Sequence, residues 1–342
     1  VEIRRYQDGD EAGIQTLFRE VFGKERPIEE WEWKFRSPSS TQVPFVLVAE
    51  HEGKIVGHVG CTIVQMKYGA HLIRAGARVD TMVSPSARGQ GLYQKLNTRL
   101  LQEADKEGIQ MLYGYPAQKA HELLTKQLDA FTVGNIPRWV RLQRVDRLIA
   151  SRVPAFRGVA RLLFSPLRFV GSGSMKRASQ VESVTECDAR FTELAHCSPM
   201  KVGLIRDKDY LNWRYHQHPT KKYNMRAIED DKGLFGYVVS YEEERNGMRV
   251  GHIVDLVIRG QDRQKEDDLF SAVLYDLRKA DLVQTWAHPE MTSVQVLRRW
   301  KFLQKDAPMP LVLLSNHFTK EEMEADAHLS RWTVAQGDVD SF

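Results

Sequence analysis

Cysteine is scarce in this chain. Cys61, Cys187 and Cys197 are an odd set, and none stands in a CxxC pair. That argues against a disulfide framework and a cysteine-built zinc site, and a reducing cytoplasm is the expected compartment. Long apolar runs are missing too. No stretch reaches the roughly 20 residues that cross a bilayer, and no signal-peptide pattern opens the residues given. A dominant charge sign is also absent. The net charge of +4 over 342 residues does not call for nucleic acid, though it suits a polyanionic cofactor. Neither GxxxxGK[ST] nor GxGxxG occurs, so no Walker loop or dinucleotide fingerprint is expected. His216 and His218 stand two apart, share no helix face and have no carboxylate at ligand spacing, so no metal site is expected.

What is present alternates between periods of 2 and 3.6. "EIRRY" reads as a short strand. "DGDEAGIQTLFREVFG" reads as a helix with Ile14, Leu17, Phe18, Val21 and Phe22 on one face and Gly23 as its stop. "PIEEWEWKFRSP" reads as a second helix, with Trp31 and Trp33 as packing residues. "PFVLVAEHEGKIVGHVGCTIVQMKYG" reads as a hairpin turning at "EG", followed by the strand "RAGARVDTMV". Leu92, Leu96, Leu100 and Ala104 place a helix over Leu92–Glu107, closed by Gly108. The strand "IQMLYGY", the helix "QKAHELLTKQLDAF" and the strand "WVRLQRV" follow. The fold class is α/β, a mixed sheet flanked by helices.

The second half echoes the first in the same order. "WKFRSP" matches "WRYHQHP", "AEHEGKIVGHV" matches "IEDDKGLFGYV", and "RVDTMV" matches "IVDLVI". "YGYPAQ" matches "WAHPEM", and "LDAF" matches "RWKF". The offset drifts only from 180 (Trp33 to Trp213) to 171 (Phe131 to Phe302). Five matches in register indicate a diverged internal duplication. The expected organisation is a first domain over 1–145, a linker over 146–180 and a second domain with a tail over 181–342. The stretch 143–180 is rich in arginine interleaved with apolar residues and has one acidic residue, Asp146. Two readings stand for it: an amphipathic helix packed between the domains, or a peripheral contact with an anionic surface or partner. Trp332 and Phe342 read as anchors for the tail.

The stretch "MVSPSARGQGLYQKL" (Met82–Leu96) carries the most chemistry. A strand stops at a proline, and Arg88, Gly89, Gln90 and Gly91 lead into a long amphipathic helix. A helix N-terminus presents unpaired N–H groups and the positive end of its dipole, so it attracts anions. Glycines let phosphate oxygens approach the backbone, and the loop holds no acidic residue to repel them.

The stretch "VDTMVSPSARGQGLYQKLNTRLLQEADKEGIQMLYGYP" resembles the cofactor-binding motif of the GCN5-related N-acetyltransferases (GNAT), R/Q-x-x-G-x-G/A between the fourth strand and third helix. Arg88 takes the first place and Gly91 the fourth, while Tyr93 stands where glycine or alanine is usual. The resemblance covers about Glu2–Leu142. It is weaker over about Ser183–Leu314, where "VIRGQDRQKEDDLFSAVL" loses the loop and puts the acidic residues of 264–268 where phosphates would lie. It therefore implies two tandem GNAT-like domains, the second degenerate and without cofactor.

By that resemblance, Arg88, Gly89, Gln90, Gly91, Leu92 and Tyr93 would hold the pyrophosphate of acetyl-CoA. Thr81, Met82 and Val83 would pair with its pantetheine arm. The implied activity is N-acetyl transfer to a primary amine by direct attack, with no metal. The acceptor stays open among amino sugars, aminoglycoside-like amines and peptide amines. The alternatives are an acyl- or aminoacyl-transferase of the same tandem type and a non-catalytic CoA-binding module.

Such a reaction uses a base for the amine and an acid for the thiolate. The family's acid is often a tyrosine in the helix after the fifth strand, and "AQKAHELLTKQL" has none. Tyr115, at the preceding strand end, is the first choice, and His121 the second. For the base, Asp80 sits in the central strand beside the expected thioester. Asp255 occupies the same place in the half without the loop, so a structural role shared by both stays open. Glu50 and Glu52 are further alternatives at a hairpin end.

Overall fold

The computed structural model describes residues 1–40, 43–144, 180–197, 200–326 and 328–339. The proposed linker, its anionic-surface role and the Phe342 anchor fall on residues outside those described, apart from the linker's edges.

The first half runs β1 (Glu2–Arg5), α1 (Glu11–Phe22), α2 (Ile28–Phe35), β2 (Val46–His51), β3 (Lys54–Tyr68) and β4 (His71–Val83). It continues through α3 (Leu92–Lys106), β5 (Met111–Gly114), α4 (Gln118–Leu128) and β6 (Phe131–Leu142). Local chemistry explains several boundaries. Gly23 ends α1 in the left-handed region, and its N–H returns to the Arg19 carbonyl. Glu52 and Gly53 both take positive φ in the β2–β3 turn, a primed hairpin geometry.

The second half repeats the order. It holds β7 (Val181–Val184), α5 (Ala189–Cys197), β8 (Val202–Leu204) and α6 (Lys208–Leu211), which continues as a π-type turn over Asn212–His216. Then come β9 (Asn224–Asp230), β10 (Gly233–Arg245), β11 (Met248–Ile258), α7 (Arg263–Asp276), β12 (Leu282–Trp286), α8 (Thr292–Arg299) and β13 (Leu303–Leu314). α9 (Lys320–Asp326) and β14 (Trp332–Thr333) follow.

The strands form one sheet, ordered β1-β2-β3-β4-β5-β13-β6-β12-β11-β10-β9-β7. Read from either end, it gives the same elements of the two halves, with one exchange at the middle. β13 lies antiparallel between β5 and β6, with Val312 opposite both Gly114 and Thr132. β6 in turn pairs with β12, Trp139 facing Thr285. The halves therefore share the duplicated topology expected from the sequence, but each lends its last strand to the other. "WVRLQRV" is the end of a longer strand that starts at Phe131.

The apolar cores follow this layout. One lies under α3 with Leu92, Leu96 and Leu100, and one under α7 with Leu269, Phe270 and Val273. A third core is common to both halves, joining Val64 and Tyr113 to Tyr210, Tyr237 and Trp332. Trp332 is therefore an anchor of the tail.

Trp33 and Trp213, the repeat-equivalent tryptophans, meet at the junction. Their rings stack at 4.9 Å. Each indole N–H donates to the other's backbone carbonyl, at 2.8 and 2.9 Å. They pack half against half, rather than helix against sheet. A double-mutant cycle on Trp33→Phe and Trp213→Phe, read by chemical denaturation, is expected to give a coupling of about 0.5–1.5 kcal/mol. Strict additivity would contradict the reciprocal pairing.

Candidate active site

β4 and β5 run parallel only from Ala75–Met111 to Ala77–Tyr113. Beyond that the strands part, and the edge of β4 facing β5 has no strand partner among the described residues. On its other edge β4 stays bound to β3, with Met82 opposite His58 and Val79 opposite Gly60. Asp80 and Thr81 together face the single residue Val59, which is a β-bulge. Asp80 takes φ +51° there, a conformation that costs a non-glycine residue energy.

The Asp80 side chain shows how that strain is held. Its carboxylate forms buried ion pairs with Arg26 and, at 3.2 Å, Lys34. The His58 ring holds the Asp80 carbonyl at 2.7 Å through Nδ1. Burial pushes the Asp80 carboxyl upward, but Lys34 and Arg26 overcome this and hold it well below the usual range. Burial keeps the His58 imidazole neutral, its pKa down at about 4.

Asp255 sits at the matching bulge of β11. It accepts two bonds from Arg206 Nε, at 3.0 and 2.9 Å, and one from the Tyr215 hydroxyl. Arg26 and Arg206 are 180 positions apart, so the clamp belongs to the repeat.

The parting of β4 and β5 opens a cleft of about 280 Å³. Asp80, Thr81 and Arg78 line it from β4, Tyr113 from β5 and Tyr115 from the residue just past β5. Tyr93 faces it from α3, and Asp338 and Val339 from the tail. The sequence-expected residues Asp80, Thr81, Tyr93 and Tyr115 thus meet in one place. Met82 is packed in the core beneath, and Val83 pairs with Gly57.

Burial, and then the charge of Asp338, hold the Tyr115 hydroxyl well above its ordinary pKa, so it stays protonated. His121 lies apart, its Nε2 2.8 Å from the Thr132 hydroxyl. Glu50 pairs with Arg4 at 2.7 Å, and Glu52 is at the exposed hairpin tip.

The loop after β4 passes through a 3-10 turn, Pro85–Ala87, and enters α3 at Gly91. Gly89 and Gly91 have φ of +79° and +70°, which glycine alone adopts without cost. Among the described residues, no heavy atom beyond the chain neighbours lies within 4 Å of where a Cβ would stand on either. α3 has no side-chain cap and no acidic residue in its first turn, so its leading amides are left for an outside acceptor. Arg88 is exposed at the loop, and its Nε donates to the Val83 carbonyl at 3.3 Å. Leu92 is buried and anchors the helix start.

α7, the counterpart of α3, is built differently. The Asp262 side chain accepts from the amides of Gln264 and Lys265, at 3.0 and 3.1 Å. A carboxylate of the protein already fills that N-terminus. Two acidic residues of the 264–268 stretch, Glu266 and Asp267, pair with Arg299 of α8.

Sequence reasoning missed two residues of the cleft. Arg78 lies on the parted edge, its guanidinium donating to the Asn97 side-chain amide oxygen, with its Nε buried and without a partner among the described residues. Its place in the strand "RAGARVDTMV" was the only signal. Asp338 comes from a tail read as holding no chemistry. It is buried, pairs with Arg206 at 2.6 Å and accepts from the Ala335 amide at 2.9 Å. Burial, and then the nearby Asp255, raise its pKa against the pull of Arg206.

Residues 2–121 match the family model "Acetyltransferase (GNAT) domain", and this part of the chain is a GNAT domain. No curated protein matches the chain.

Among solved structures, a GCN5-related N-acetyltransferase from Anabaena variabilis is 15% identical, with a TM-score of 0.65, covering 91% of this chain and 72% of that one. Saccharomyces cerevisiae N-myristoyltransferase with bound myristoyl-CoA is 11% identical, with a TM-score of 0.62, covering 92% and 82%. A probable N-acyltransferase from Enterococcus faecalis is 12% identical, with a TM-score of 0.62, covering 92% and 73%. At these identities the likeness is one of fold, and it extends over both halves.

Asp80→Asn is expected to destabilise the protein by about 3–5 kcal/mol, because it removes the carboxylate that neutralises the buried Arg26 and Lys34. Thermal or urea unfolding reads this directly. Adding Lys34→Met removes one of those cations and should recover part of the loss. The carboxyl is depressed in the folded state, so its contribution is full at neutral pH and is lost only as pH falls through its lowered folded pKa.

Proposed function

We propose that the chain transfers an acetyl group from acetyl-CoA to a primary amine, in the cleft between β4 and β5. The observation that carries this reading is the open, uncapped N-terminus of α3 at the mouth of the parted strands. The amides of Gly89, Gln90, Gly91, Leu92 and Tyr93, with Arg88, would hold the pyrophosphate. Thr81 and the free edge of β4 would receive the pantetheine amides, with Met82 and Val83 keeping that edge in register. Arg78 would donate to a carbonyl of the arm or thioester. The cofactor is a co-substrate, and it supplies the activated acyl group.

The cleft also supports a short acyl group. A separate void beside Ala77, Val79 and Tyr113, residues that also line the cleft, is about 30 Å³ and gives a long chain no room on that side.

Tyr115 is the acid in this reading, because its hydroxyl stays protonated at the end of β5 and can pass its proton to the departing thiolate. Asp338, not Asp80, is the carboxylate suited to receive the amine's proton. Its pKa is raised, whereas Asp80 is locked between two cations. Asp80 then acts by position, holding the bulge that turns the edge of β4 toward the cofactor.

Three measurements test this. Acetyl-CoA should raise the melting temperature of the wild type, and Gly91→Asp should abolish that shift by setting a carboxylate where Asp262 stands in the second half. Tyr115→Phe and Asp338→Asn should each lower kcat by about 10²–10⁴-fold in a thiol-release assay while keeping the acetyl-CoA shift. Asp338→Asn should also keep its stability, since burial disfavours the charge and Arg206 retains Asp255. Activity that stays unchanged in both variants would overturn the assignments. Faster turnover with long-chain acyl-CoA than with acetyl-CoA would overturn the acyl choice.

A further inference from the structure

The second half keeps its own parted strands. β11 pairs with β12 only from Val250–Leu282 to Ile253–Thr285, and beyond that the two diverge as β4 and β5 do. A cavity of about 250 Å³ lies there, in the place corresponding to the first-half cleft. Its body is apolar, with Leu204, Leu256 and Ile258 in its walls.

Three lining residues are at least nine-tenths buried and carry a polar atom with no partner among the described residues: Tyr237 through its hydroxyl, Ser293 through Oγ and Trp332 through Nε1. Leaving such a group unpaired inside a protein is unfavourable. Three around one cavity mark a place built to hydrogen-bond something else.

The polarity of that guest follows from the donors. The Trp332 indole can only donate, and the tyrosine and serine hydroxyls can donate. α8, eight residues long, starts at the cavity wall with no side-chain cap, so its first amides add positive potential. Lys201, Arg206 and Arg331 bring cations to the wall, Arg206 being paired with Asp255 and Asp338, and the Glu290 carboxylate is the opposing charge. A phosphate chain has no cradle here, because Asp262 fills the α7 terminus where the first half leaves Gly91 open.

We propose that this second cleft is a separate binding site for a small monocarboxylate with an apolar body, its carboxylate held by Trp332, Ser293 and Tyr237 and its body lying along β11. The site stands independently of the acyl-transfer reading, since it shares neither the Gly89–Gly91 loop nor Tyr115.

Octanoate and 3-phenylpropionate are suitable probes, with 1-octanol as the neutral control, in isothermal titration against the full chain. Octanoate or 3-phenylpropionate should bind saturably at one site, and octanol at least tenfold more weakly than octanoate. Trp332→Phe and Ser293→Ala each remove one orphan donor and keep most of the packing. Each should weaken binding about five- to tenfold without lowering the melting temperature, and Tyr237→Phe provides a third variant of the same kind. The acetyl-CoA thermal shift should be the same in all of them, which separates failure here from failure of the first site. Absence of saturable binding by both carboxylates, octanol binding as tightly as octanoate, or unchanged affinity in the variants would overturn the proposal.

Discussion

The parting of β5 from β4 is the constraint on which the rest of the molecule depends. A strand that leaves its parallel neighbour after three pairs gives up ladder hydrogen bonds on that edge, and it needs a firm partner on the other. β13 supplies that partner by pairing with Leu112, Tyr113 and Gly114. Because β13 takes this place, β6 is moved out to β12, and the two halves close into one sheet. The cleft and the joining of the halves are therefore two consequences of one pairing. The shared core containing Tyr113, Tyr210 and Trp332 sits on that seam, and the Trp33–Trp213 pair fastens the helices above it.

Much of this was legible in the sequence because local rules decided it. The period of α3, the Glu52–Gly53 turn and the glycines before Leu92 each follow from backbone chemistry within a few residues. The duplication was legible because five short matches kept their order. Strand exchange was not, because "FTVGNIPRWVRL" and "LQKDAPMPLVLL" read as strands whichever half they join. Register and partner come from tertiary packing, which a single strand's pattern does not encode.

The site divides along the same line. The loop at Arg88–Tyr93 is local, so its glycine-edged helix entry was legible in the sequence. Asp80 was found as an unusual carboxylate in an apolar strand, but its partners lie 54 and 46 positions away, at Arg26 and Lys34. Pattern alone could not tell a base from a clamp. Asp338 is farther still, in a short segment whose only visible features were polarity and a tryptophan. Its chemistry comes from where the tail is laid, against Arg206 and the mouth of the first cleft.

The two halves also show how one scaffold separates structure from chemistry. Both keep the bulge, the carboxylate within it and the arginine that neutralises it, so that trio belongs to the fold. They differ at a single kind of position, the residue that leads into the next helix. Gly91 leaves amides open to an incoming anion, and Asp262 closes them with an anion of the protein's own. A carboxylate there satisfies the helix start, and relative to glycine it stabilises it by a few tenths of a kcal/mol. The first half forgoes that stabilisation at Gly91. An uncapped helix beside an open cleft is kept at a small cost in stability, which an anion bound there would offset.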